Sequence, residues 1–113
     1  MKTSREQFEQ LKTLSLFKSK VVSDSMVPII EIGDEVIIDV GNMEIKRFDI
    51  IVIYQDERLV CHYLWRLNRY LKPILLQTRN MSGKMDFPVN TEDYLGKVMS
   101  HRLSFWQKLR IIF

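Results

Sequence analysis

The residues of this chain that could do chemistry begin with Ser23 and Ser25. These hydroxyls stand two positions apart in Ser23-Asp24-Ser25-Met26-Val27-Pro28, and Gly33-Asp34 follows just before a strand-like run. A serine hydroxyl is a poor nucleophile until a neighbouring base takes its proton. Histidine suits that task near neutral pH, because it can return the proton to a leaving amine. The chain holds two, His62 and His101. A carboxylate behind the imidazole would fix its tautomer and stabilise its charged form. Lys46, Lys72 and Lys84 are the alternative bases by residue type. The plainer reading makes Ser23 and Ser25 ordinary turn residues, which serine favours through local hydrogen bonds. It makes His62 a strand histidine held by a backbone carbonyl and Asp86 a solvated loop carboxylate. A metal site built from His62, His101 and a carboxylate lacks a close-set ligand pair such as H-x-x-x-H, so no metal and no cofactor are expected.

Taken in order, the segments SDSMVP, GDEVIID, FDIIVI, LVCHYLWRL, LLQTRNMSGKMD and YLGKVM resemble the type I signal peptidase family and its LexA-like self-cleaving relatives. The family pattern runs S-x-S-M-x-P, then G-D opening a strand, then G-D-I-V, then a strand carrying Lys or His followed by Arg. A T-K-G-D box with a later Asp and an L-G-K-V-like strand complete it. The resemblance covers about residues 20–100. It implies that Ser25 is the nucleophile and that Met26 packs beneath it, with Pro28 shaping the turn. Ser23 matches the hydroxyl that helps form the oxyanion hole with the Ser25 backbone N–H. His62 falls where bacterial members carry a Lys base and the endoplasmic-reticulum and archaeal branch a His. Asp86 matches the late Asp of the His-type enzymes. Four positions depart from the pattern. Asp24 replaces the Gly between the serines, Tyr63 follows the base where Arg is usual, Thr78-Arg79-Asn80-Met81 replaces T-K-G-D, and Phe48-Asp49 replaces Gly-Asp.

The elements that must position these residues are mostly strands. Ser4 could cap a short helix over 4–16, where Phe8, Leu11 and Leu14 recur at a spacing of three. Val21-Val22 forms a short apolar run. Residues 35–40 are rich in β-branched side chains and end at the turn pair Gly41-Asn42. The continuous run 49–54 suits a strand buried on both faces. Asp56-Glu57 reads as a hairpin turn into 59–65, which carries His62, with Cys61 on the opposite face by strict alternation. Further strands are expected at 73–78 and 95–100, with a loop from Asn80 to Asn90 punctuated by Gly83 and Pro88. Closely spaced short strands imply a mainly β fold, a small coiled antiparallel sheet or partial barrel with short terminal helices. This matches the signal peptidase catalytic core that the resemblance implies.

With 113 residues, 46% of them hydrophobic and 27% charged, the composition is that of a single globular domain over 1–113. The single Cys61 excludes an internal disulfide framework. A net charge of +3 from scattered Lys and Arg does not suggest a nucleic-acid partner. No stretch approaches the roughly 20 apolar residues a membrane span takes, and the opening residues lack the apolar core of a signal peptide. A cytoplasmic protein is expected, with at most a superficial bilayer contact. Residues 102–113 would supply that contact. Wound as a helix they are amphipathic and cationic, fit to pack on the sheet or to lie on an anionic membrane. His101 lies beyond the last matching segment and reads as a surface residue.

The expected function is a serine endopeptidase with a Ser25–His62 dyad assisted by Asp86. Its substrate would be an extended peptide added along a sheet edge, with small side chains before the scissile bond. The alternative is a catalytically inactive peptide-binding module of the same fold. The stretch before residue 20 is too short for a helix-turn-helix domain, so the self-cleaving repressor variant is not expected. A small relative that trims a leader peptide fits better.

Overall fold

The computed structural model describes residues 2–70, 72 and 74–112. In chain order the elements are α1 (Arg5–Leu11), β1 (Leu16–Lys20), β2 (Glu35–Val40), β3 (Ile50–Gln55) and β4 (Arg58–Asn68). After these come β5 (Leu75–Arg79), β6 (Val89–Asn90), a 3-10 turn (Thr91–Asp93), β7 (Tyr94–Val98) and α2 (Phe105–Ile112). The strands form one antiparallel sheet in the order β1-β2-β7-β3-β4-β5-β6, and it is not closed. The fold is therefore mainly β, a curled open sheet with two short helices.

β3 lies at the centre because every other side chain finds a different core. Ile50, Val52 and Tyr54 join Phe8, Met26, Ile38, Tyr63 and Leu95 on one face. Ile51 and Ile53 join Leu64, Leu76, Val89 and Tyr94 on the other. That is why its sequence is uninterruptedly apolar rather than alternating. Bulges between Val52 and Ile53 and between Leu64 and Arg66 interrupt the ladders, and bulges bend and twist the strands that carry them.

The β3–β4 hairpin closes with a two-residue turn in which Asp56 and Glu57 both have positive φ, 53° and 58°. This is the backbone of the primed turns that match sheet twist. α1 starts with a capping box, Ser4 accepting from Gln7 N–H while the Gln7 side chain accepts from Ser4 N–H. Its Phe8 stacks on Tyr54 with ring centroids 4.6 Å apart.

Several boundaries differ from expectation. The first helix ends at Leu11 rather than running to 16, and the chain then forms β1. That strand replaces the apolar pair Val21-Val22, which lies just beyond it. β1 has the alternating exposure of a sheet edge, with Lys18 and Lys20 outward. Lysine on an edge strand is a common protection against edge pairing, and it lowers the apolar signal. Pro73, expected to begin the next strand, lies outside the described residues, and β5 starts at Leu75. The last strand occupies 94–98 rather than 95–100, and the expected loop 80–90 ends in the two-residue β6. Phe113 also lies outside the described residues. Among those described, no helix is long and apolar enough to cross a membrane.

Candidate active site

His62 stands in the middle of β4, paired with Ile51 of β3, and is 8% exposed. Leu64 of β4 is paired with Thr78 of β5. Directly paired and alternate residues share a face, so His62, Leu64 and Thr78 look the same way. The chain leaves β5, turns through 80–84 and returns so that Asp86 N–H donates to Thr78 O at 2.9 Å. This backbone bond places the Asp86 carboxylate against both side chains. Thr78 Oγ1 donates to Asp86 Oδ2 at 2.6 Å, and His62 Nδ1 lies 2.5 Å from the same oxygen.

Burial would push Asp86 up, but hydrogen bonds from His62 and Thr78, with the nearby charges of His62 and Lys84, outweigh it. The carboxyl is thus held below its ordinary value. An ionised carboxylate only accepts. His62 Nδ1 therefore carries the proton of this bond, and in the neutral imidazole that tautomer turns the Nε2 lone pair toward Ser25. That nitrogen lies 3.1 Å from Ser25 Oγ.

Ser25 reaches His62 from the far side of the sheet. β1 and β4 are separated by β2, β7 and β3. In a flat sheet four strand steps of ~4.8 Å span about 19 Å. The curl of the sheet and the excursion after β1 close that distance. The excursion is pinned at its base, where Val21 N–H donates to Asp34 O and Gly33 N–H to Val21 O, both 2.9 Å. Gly33 has φ +93°, a conformation glycine adopts without strain. Asp34 Oδ2 accepts from Glu31 N–H at 2.9 Å. At the tip, Ile29 and Ile30 N–H both donate to Met26 O. Met26 itself is 2% exposed in the larger core. Pro28 follows Val27 through a cis peptide bond. Met81 N–H donates to Ser25 O at 2.9 Å, tying this turn to the loop that carries Asp86.

Ser23 Oγ lies 3.2 Å from Ser25 Oγ. With the Ser25 hydroxyl donating to His62, the Ser23 hydroxyl is the donor of this second bond. The Ser25 backbone N–H meets no acceptor among the described residues. Asp24, between the two serines, is exposed, so its carboxylate is solvated. All four chemistry-bearing residues, Ser23, Ser25, His62 and Asp86, are thereby brought into one hydrogen-bonded line. A cleft of about 460 Å³ opens beside it, walled by the end of β1 and the residues that follow it (19–22) and by the 58–61 stretch of β4.

Thr78 is the site residue that the sequence did not single out. Its position in a divergent T-K-G-D box was the available signal. The same box explains Asn80, whose Oδ1 accepts from Ser82 N–H, Ser82 Oγ and Lys84 N–H. This Asx-type turn shapes the loop that returns Asp86. Phe48 has φ 78°, the region favouring glycine. Its ring packs with Trp65 and Tyr63 at centroid distances of 6.2 and 6.3 Å, contacts that glycine could not make. Cys61, beside His62, packs with the larger core, and burial pushes its thiol up to about 12. His101 is half-buried rather than a free surface residue, with Nδ1 2.7 Å from Ser100 Oγ and Nε2 3.6 Å from Asp34. None of Lys46, Lys72 and Lys84 is bonded to Ser25. In comparisons with known proteins, the chain matches no family model and no curated protein.

Proposed function

We propose that this protein is a serine endopeptidase resembling the His-type signal peptidases, with Ser25 as nucleophile, His62 as general base and Asp86 as the carboxylate that orients it. The observation that carries this reading is the continuous line from Ser25 Oγ through His62 to Asp86, with separations of 3.1 and 2.5 Å. Those lengths suit proton transfer.

In the first step His62 Nε2 takes the Ser25 proton as Oγ bonds to the scissile carbonyl carbon. The carbonyl π electrons move onto oxygen, which becomes an oxyanion. The Ser25 N–H and the Ser23 hydroxyl are the donors available for it. The imidazolium, steadied by Asp86, then gives its proton to the leaving nitrogen as the C–N bond breaks. A water activated by the same imidazole hydrolyses the resulting acyl ester and returns the hydrogen to Ser25. The substrate fits as an extended peptide along β1. Among the described residues that strand pairs with β2 alone, and it lines the cleft, so its outer edge can hydrogen-bond a peptide main chain.

A fluorophosphonate probe followed by peptide mapping tests the nucleophile, and a peptide library tests the cleavage. Labelling is expected at Ser25 alone. Ser25→Ala is expected to lower kcat on the order of 10⁴- to 10⁶-fold. Library cleavage that survives Ser25→Ala overturns the proposal. Peptide binding without cleavage by the parent chain assigns the inactive binding module instead.

A further inference from the structure

α2 carries its apolar stripe on the wrong side for a helix that covers a core. Phe105, Leu109 and Ile112 recur at helical spacing, with Trp106 beside them. Such a stripe normally faces the body of the protein. Here no α2 residue is buried, and Phe105, Trp106 and Ile112 are 67%, 73% and 49% exposed. The opposite side, which includes Ile111, makes the contacts instead. Gln107 and Arg110 line a groove with Val27, Pro28 and Met81, Lys108 Nζ sits 5.9 Å from the Phe48 ring centroid, and Ile111 touches the larger core. The packing of the apolar face on the sheet, one of the two expectations for this segment, is therefore not what the helix does.

The charge pattern identifies what would cover that face. Residues 102–112 include Arg102, Lys108 and Arg110 and no acidic residue. Aromatic and aliphatic side chains flanked by cations suit the boundary between lipid headgroups and acyl chains, where rings embed and cations meet phosphates. A neutral protein groove would leave the cations unused. We propose that α2 docks this protein on an anionic bilayer, with Phe105, Trp106 and Ile112 entering the interface. Because Gln107 and Arg110 share a groove with Val27 and Pro28, docking would hold the Ser25 turn close to the membrane surface. The proposal stands independently of the peptidase reading, since it concerns binding and not turnover.

The test is co-sedimentation of the full chain with vesicles of phosphatidylcholine and phosphatidylglycerol, against phosphatidylcholine alone. Sedimentation is expected with the anionic vesicles only and should fall as salt is raised. Arg102→Gln should weaken partitioning about fivefold, as for one cation near a charged surface. The double substitution Phe105→Ser with Trp106→Ser should abolish binding. Both side chains are exposed, so its thermal unfolding should match the parent. Brominated lipids should quench the parent's tryptophan fluorescence but not that of Trp106→Phe. No sedimentation with anionic vesicles overturns the proposal, as does sedimentation unchanged by the double substitution. A concentration-dependent dimer dissolved by that substitution, without vesicle binding, also overturns it and assigns the face to a second copy.

Discussion

The two halves of the candidate site are built to different standards. His62 belongs to the sheet and Asp86 is a loop residue tied to it: His62 is fixed by the β3–β4 ladder, and Asp86 by a backbone bond and a hydroxyl bond to buried Thr78. Ser23 and Ser25 belong to a turn whose neighbours Val22, Asp24, Val27 and Pro28 are all exposed. That turn is held by the buried Met26 and Ile30 side chains, by its own bonds to Met26 O, and by one bond from Met81 across to the Asp86 loop. The difference shows where rigidity is needed. On the proposed reading, a base must hold one tautomer and one ring orientation before substrate arrives, which suits a histidine backed by half-buried Asp86 and buried Thr78. On the same reading, a nucleophile must face a cleft that a peptide can enter, which suits a serine whose supports lie beneath it.

The sharpest way to break the base half is Asp86→Asn. Without an ionised acceptor at Nδ1, His62 has no reason to leave Nε2 unprotonated toward Ser25. A loss of about 10⁴ in kcat is expected, the size seen when such a carboxylate is replaced by an amide. Steady-state cleavage of a library-derived peptide measures it. A loss under tenfold would mean that Asp86 merely supports the loop.

Ser23→Ala attacks the other half and should cost less, about 10²- to 10³-fold in kcat, the usual consequence of losing one oxyanion donor. Substrate affinity should change little, because the bond matters only as charge develops. Unchanged kcat would remove Ser23 from the mechanism and leave the Ser25 N–H as the donor. Because Ser23 is exposed, the substitution should not move the unfolding midpoint.

Thr78→Val separates holding Asp86 from ionising it. The hydroxyl bond to Asp86 Oδ2 is among the causes that keep this carboxyl below its ordinary value. A depressed folded-state value means that the stability Asp86 contributes is complete above the unfolded-state value of ~3.9. It is lost as pH falls through the folded-state value. Removing the hydroxyl should therefore shift the acid unfolding limb to higher pH and destabilise at neutral pH by about 1.5–3 kcal/mol, as for a hydrogen bond to a charged group. Urea melts across an acid pH series measure both. An unmoved acid limb would show that His62 alone sets the ionisation of Asp86.

The same contrast explains what the sequence made legible. The strands buried on one or both faces announced themselves through apolar runs, β3 above all, because burial imposes composition. The edges did not: β1 presents lysines to solvent, and β6 is two residues long. The expected site residues were legible by their order along the chain, and Ser23, Ser25, His62 and Asp86 do meet. Thr78 was not, because a buried threonine in a strand is ordinary until its hydroxyl partner is known. The orientation of α2 was not legible either. An amphipathic pattern says that a helix has two faces, and only packing says which one meets the protein.

The smallest effect should sharpen the contrast from the stability side. Glu57 is exposed, has a positive φ of 58° and closes the hairpin that leads into the His62 strand. Side chains in this left-handed region crowd the backbone at a cost of roughly 1–2 kcal/mol, which glycine avoids. Glycine has its own cost in a more flexible unfolded chain, roughly 0.5–1 kcal/mol. Glu57→Gly should therefore gain about 0.5–1 kcal/mol, raising Tm by a few degrees in calorimetry. The gain falls on a hairpin whose register is already set by six Cα pairs from Ile50–Tyr63 to Gln55–Arg58, so kcat should not follow it. A rise in kcat together with Tm would mean that the His62 strand is not rigid before substrate binds, and the contrast between the two halves would then fail on the half with the buried supports.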